Sequence, residues 1–157
     1  MASALPLIVL LCLAVGPLDG FFLGRLGRHK PFHRRWSRCS RCFFVETRKL
    51  TLADAEQNCI RRGGNLASIH SSREQRTIGR MLGKASTKLA WIGLFDAIQE
   101  GKWLWTDGSR LTFTRWARKR PDNFRGKEHC THMYSRGNVW NDINCDAKLP
   151  SVCRRRR

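Results

Sequence analysis

Six cysteines between positions 39 and 153 constrain this chain more than any other feature: Cys39, Cys42, Cys59, Cys130, Cys145 and Cys153. A seventh, Cys12, lies within Leu5 to Val15, an apolar run broken only by Pro6 and followed by Gly16, Pro17, Asp19 and Gly20. That order reads as a signal peptide over residues 1–20, cleaved after Gly16 or Gly20. The run is too short to be a membrane span, which needs about 20 residues. Secretion follows as the expectation, and in an oxidising compartment the six remaining cysteines form disulfides. Their number alone leaves the pairing open.

Cleavage at Gly20 leaves about 137 residues, enough for one domain with its own core. All thirty Lys and Arg stay, against eleven of the twelve Asp and Glu, so the net charge becomes about +19. Residues 21–41 form a basic arm carrying Arg25, Arg28, Lys30, Arg34, Arg35, Arg38 and Arg41 without an acid, and 154–157 are a basic tail. A field of this sign steers anionic ligands. Sulfated glycans, lipopolysaccharide, anionic membranes and mineral-associated acidic polymers are therefore candidate partners, reached through the arm, Arg61-Arg62, positions 115–120 and the tail. Nucleic acid is not expected. Secretion separates the chain from it, and Trp91, Trp103, Trp105, Trp116 and Trp140 read as core rather than as a base-stacking set.

Local signals place helices first and strands after. Thr51 is an N-cap with Asp54 in the first turn, Leu52, Ala55, Cys59 and Ile60 follow at near-helical spacing, and Gly63-Gly64 ends the segment. Ser71-Ser72-Arg73-Glu74 fits a capping box, with Ile78, Met81 and Leu82 as an apolar stripe and Gly83 as the stop. Beyond Lys88 the texture predicts strands at 89–94, 102–105, 111–116, 130–134 and 151–153, with long polar loops at 117–128 and 135–148. Such an order implies an α+β domain with antiparallel pairing.

Trp91-Ile92-Gly93-Leu94 and Trp140-Asn141-Asp142, together with the order of Cys59, Cys130, Cys145 and Cys153, resemble the signatures of the C-type lectin-like domain family. The resemblance spans 42–153. The runs 63–70 and 105–109 are most similar to its small secreted galactose-type members from fish. It implies a C-type lectin-like fold of two helices, antiparallel sheets and a long irregular ligand-binding loop, with pairings Cys59–Cys153 and Cys130–Cys145. Cys39 and Cys42 depart from the family pattern. Either they pair with each other, or Cys39 bridges two chains into a homodimer.

The resemblance also implies a function: binding carbohydrate, galactose-type glycans first, with a role in innate defence. In the family the loop reads Gln-Pro-Asp in galactose-type members, and here it reads Arg120-Pro121-Asp122. Carried over position by position, Asp122, Glu128, Asn141 and Asp142 are calcium ligands, and all four supply the hard oxygens that Ca²⁺ requires. Asp122, Glu128 and Asn141 would also meet sugar hydroxyls, with Phe124 packing on the apolar face of galactose. Arg120 opposes this set, because it replaces a ligand oxygen with a cation that does not deprotonate. The alternative function is a cationic binder of anionic surfaces with a degenerate calcium site.

Other constellations carry less. His29, His33, Cys39 and Cys42 are the right ligand types for zinc, but exported cysteines prefer disulfides. His129 and His132 flank Cys130 at an odd offset that sends them to opposite faces of a strand, which suits structural or solvent-facing roles. No G-x-S-x-G, H-E-x-x-H or phosphate-binding loop is present, so an enzyme is not expected.

Overall fold

The computed structural model describes residues 42–156; the leader, the basic arm, Cys39 and the zinc-type histidines lie outside the described residues. The first element was not anticipated. Phe43–Leu50 is a strand, β1, which pairs antiparallel with the last strand, β7 (Leu149–Arg155), in the register Phe43↔Arg154, Val45↔Val152. Phe43, Phe44 and Val45 have the bulky and β-branched side chains that suit a pleated, half-buried surface.

The helices start where their caps place them. The Thr51 hydroxyl accepts the Asp54 N–H at 3.2 Å and opens α1 (Leu52–Arg61), which buries Leu52, Ala55, Asn58 and Cys59. Gly63 follows at φ +82. The short strand β2 (Gly64–Leu66) then lies so close to β7 that a Cβ on Gly64 would stand 2.0 Å from the Arg154 carbonyl oxygen. Ser71 caps α2 (Ser72–Lys84) by accepting the Glu74 N–H at 3.3 Å, while the Glu74 carboxylate reaches one residue further back to the His70 N–H at 2.8 Å. Ile78 and Leu82 are fully buried, and Met81 packs half-buried against the same core.

The remaining strands are β3 (Leu89–Phe95), β4 (Leu104–Trp105), β5 (Cys130–Tyr134) and β6 (Trp140–Ile143). The sheet runs β1-β7-β3-β5-β6, with β2 on β7 and β4 on β3. Pairing is antiparallel throughout except between β3 and β7, which meet in parallel at Trp91↔Ser151. The sheet is therefore mixed rather than wholly antiparallel.

Two expectations fail for a shared reason. Leu111–Trp116 is not a strand; it crosses the core as irregular chain, with Leu111, Phe113 and Trp116 half-buried and one bridge from Trp116 to Trp140. Conversely 135–148 holds β6, because pairing with β5 overrides the weak strand preference of Asn141 and Asp142. The core left by this arrangement centres on Trp140, with Trp105, Phe113 and Trp116 each edge-on at 5.8 Å.

Two disulfides with both cysteines among the described residues lock the frame. Cys59–Cys153 joins α1 to β7 across 94 residues, and Cys130–Cys145 joins β5 to the chain beyond β6 across 15. Chain entropy gives these closures roughly 4.7 and 3 kcal/mol. Cys42 is buried and disulfide-bonded. Arg154 and Arg155, expected in a tail, belong to β7, and Arg154 is 7% exposed with Nη1 donating to the Ser68 carbonyl and Nη2 paired to Glu74.

Trp140 Nε1 donates to Gln75 Oε1 at 2.9 Å, and Gln75 Nε2 donates to the Asn138 carbonyl at 2.7 Å. Gln75→Met keeps the volume but leaves a buried indole N–H without an acceptor, which costs about 1–3 kcal/mol. Urea unfolding with disulfides intact should show a free energy of unfolding lower by that amount, as a lower midpoint at unchanged slope.

Candidate functional site

The polar loop 117–128 folds back onto β6. Its backbone bends through left-handed conformations at Lys119, Asn123, Arg125 and Gly126, with one 3-10 turn at Phe124–Gly126 and a cis Arg120–Pro121 peptide. Asp142 holds it there. The Asp142 side chain is fully buried, and its Oδ2 accepts the backbone N–H groups of Asp122 at 2.9 Å and Asn123 at 2.7 Å. Asn123 Oδ1 in turn accepts the Glu128 N–H at 2.9 Å, and Glu128 Oε2 accepts the Phe124 N–H at 3.3 Å.

This folding brings Asp122, Glu128 and Asp142 together, with carboxylate oxygens within 4.8 Å of one another. Arg120 points into the group. Its Nη1 pairs with Asp122 Oδ1, donates to Glu128 Oε2 at 3.4 Å and stands 3.9 Å from Asp142 Oδ1, an oxygen with no hydrogen bond. One guanidinium thus sits where three acids converge. Asn141, next along β6, is mostly buried, and its amide N–H groups go to His132 Nε2 at 3.3 Å and to the Asp142 carbonyl. Phe124 is 58% exposed at the rim, with the Arg125 guanidinium 5.1 Å from its ring centre.

Oxygen donors of this kind suit calcium, but the residues do not fit a resident divalent ion as they stand. The position that faces all three carboxylates is taken by a permanent cation. Burial pushes the Glu128 carboxyl up, and Asp142 and Asp122 add to this, while the Phe124 N–H and the Arg120 charge work against it. His132 shows the opposite response. Its ring, buried and then opposed by the Arg120 charge, is held down at about 4 and stays neutral at physiological pH.

A second cluster escaped the sequence reading. Asp96, at the end of β3, accepts the Gly101 N–H at 2.8 Å through Oδ2, and its Oδ1 lies 3.1 Å from His129 Nδ1. Glu100 Oε2 is 3.4 Å from the same nitrogen and also accepts from Asn123 Nδ2. The two groups of acids therefore share Asn123. The only signal in the chain was two acids four apart after a strand, which does not by itself announce a partner 29 residues on.

Because the folded His132 imidazole resists protonation while an unfolded one takes a proton near 6.5, stability is complete above that value and falls as the pH drops towards 4. Removing a neighbouring cation favours imidazolium. In Arg120→Gln the His132 titration followed by NMR should move upward from about 4, remaining below 6.5 because burial persists. An unmoved titration would mean that the guanidinium does not face the cluster in solution.

Residues 48–155 match the family model for the lectin C-type domain. The galactose-specific lectin nattectin of Thalassophryne nattereri is 41% identical over 116 residues, covering 73% of this chain and 73% of nattectin. Among solved structures, the C-type lectin CEL-I from Cucumaria echinata superposes with a TM-score of 0.68 at 30% identity, over 71% of this chain and 87% of CEL-I. A calcium-independent type II antifreeze protein superposes with a TM-score of 0.66 at 33% identity, over 73% of this chain and 85% of its own. With the family model covering most of the chain, the Trp-Ile-Gly-Leu and Trp-Asn-Asp runs on β3 and β6, and two helices against a mixed sheet, this chain belongs to the C-type lectin domain family.

Proposed function

We propose that this chain is a secreted glycan-binding protein that takes galactose-type sugars at the loop 117–128 and acts in innate defence. The observation that carries the reading is the juxtaposition of Arg120, Asp122 and Glu128 with the exposed ring of Phe124. Asp122 and Glu128 accept hydrogen bonds from adjacent sugar hydroxyls, and Arg120 supplies donors to the same hydroxyls. Phe124 offers an apolar face for the sugar ring. Asn141, buried and bonded to His132, holds the floor of the site rather than reaching out. The Pro121-Asp122 order and the 41% identity to a lectin named galactose-specific support the choice of sugar. Secretion is supported by the disulfides, which persist in oxidising compartments.

On this reading the native chain binds sugar without resident calcium. A calcium ion would have to displace a guanidinium already paired to two carboxylates, and extracellular calcium modules bind at only about 10⁻⁴ to 10⁻³ M. The second reading, a cationic binder of anionic surfaces, is favoured by the same contact: Arg120 neutralises part of the acidic cluster and leaves basic surface dominant. Among the described residues no helix is long and apolar enough to cross a membrane.

Calorimetry with galactose, in calcium and in chelator, tests the proposal. Native binding should not change on chelation. Arg120→Gln should gain at least tenfold in calcium affinity, about 1.4 kcal/mol, and its galactose binding should become chelator-sensitive. Asp122→Ala in that background should abolish both gains. Loss of native binding on chelation would mean that Arg120 turns outward, and absence of galactose binding in both proteins would give first place to the anionic-surface reading.

A further inference from the structure

Outside the loop, α2 carries a row of exposed cations. Arg73, Arg76, Arg80 and Lys84 recur at i, i+3, i+7 and i+11, which places them on one face of the helix, and all four are exposed. At about 1.5 Å per residue the three arginines span about 10 Å. The one acid on α2, Glu74, is buried on another face and tied to Arg154 and the His70 N–H. Among the described residues no carboxylate pairs with Arg73, Arg76 or Arg80. Like charges three and four apart on a helix repel one another, so this row stands in the folded protein with its repulsion unrelieved.

The row borders a concavity. Arg73, Arg76, Arg80 and Asn138 line an open groove of about 630 Å³ between α2 and the turn that precedes β6. Its far wall is fixed to the core. The Asn138 carbonyl accepts from Gln75 Nε2 at 2.7 Å and from Arg115 Nε at 3.2 Å, which brings a fourth guanidinium to the edge. Gly79 lets the wall approach, since a Cβ there would lie 1.6 Å from Asn138 Oδ1.

We propose that this groove binds a strand of sulfated polysaccharide, at a site separate from the sugar-binding loop and independent of it. Guanidinium forks match oxyanions bidentately. A row of them along an open groove suits repeated anionic groups on a linear chain rather than one enclosed ion. A membrane surface is a poorer fit: among the described residues the exposed large apolar side chains are Ile60, Ile98, Leu104, Phe124 and Tyr134, and none of them lines the groove. Nucleic acid is poorer for a related reason, because among the described residues no aromatic ring lines the groove for a base to stack on.

The test uses the full chain and a heparin fragment, with its desulfated counterpart, titrated by calorimetry at about 0.15 M salt. Arg73→Gln/Arg76→Gln/Arg80→Gln removes three charges while keeping good helix formers. It should lose at least tenfold in affinity, and its slope of log affinity against log salt should flatten by about two to three. Lys49→Gln/Lys102→Gln/Lys148→Gln removes the same charge from exposed positions elsewhere and should lose less than threefold. Saturating galactose or chelator should leave fragment binding unchanged, so this result is independent of the fate of the loop reading. Equal losses in the two triple variants would overturn the groove in favour of net charge alone. Equal binding of the desulfated fragment, or competition by galactose, would also overturn it.

Discussion

Long-range closure through β7 is the constraint on which this fold depends. β7 pairs with β1 at the start of the described chain, with β2 after the first helix and with β3 in the middle of the sheet, and Cys153 within it is bonded to Cys59 of α1. Little of the sheet can be complete until the last residues arrive. Contacts of such sequence separation cost loop entropy before they return any burial. The Cys59–Cys153 bridge, once formed, removes much of that cost for a domain with so much irregular chain between β4 and β5.

A buried carboxylate does for the loop what β7 does for the sheet. Asp142 is fully enclosed, and a buried charge is tolerated only when paired and hydrogen-bonded. Two backbone N–H groups from 122 and 123 meet one of its oxygens, and the approach of Arg120 faces the other. The loop is thus folded around an electrostatic demand made by the strand beneath it. A tethered guanidinium answers that demand at any calcium concentration, since it is part of the same chain and is always charged.

The helices were legible because their signals are local: the Thr51 and Ser71 hydroxyls, Asp54 and Glu74 in the first turns and the glycine after α1 act over a few residues. Trp91 to Leu94 and Trp140 to Asp142 were legible as motifs, and three of the residues that the resemblance singled out, Asp122, Glu128 and Asp142, lie close together. What escaped depends on distant partners. β1 owes its existence to β7, β6 to β5, and Arg154 leaves the tail because Glu74 and Ser68 receive it. Leu111 to Trp116 had strand-like composition, yet the space over Trp140 is filled by rings at 5.8 Å, and packing there needs no ladder. The inward direction of Arg120 was open in the sequence for the same reason: only the fold places three acids around it.

Asn123 links the two acidic groups with three different atoms: its backbone N–H on Asp142, its Oδ1 on the Glu128 N–H and its Nδ2 on Glu100 beside His129. Glu128 in one group and Glu100 in the other are thus both tied to this one side chain. The Asp122–Glu128–Asp142 group and the Asp96–Glu100–His129 group are therefore held in register by one residue. Losing this one side chain would release a contact in each group at once.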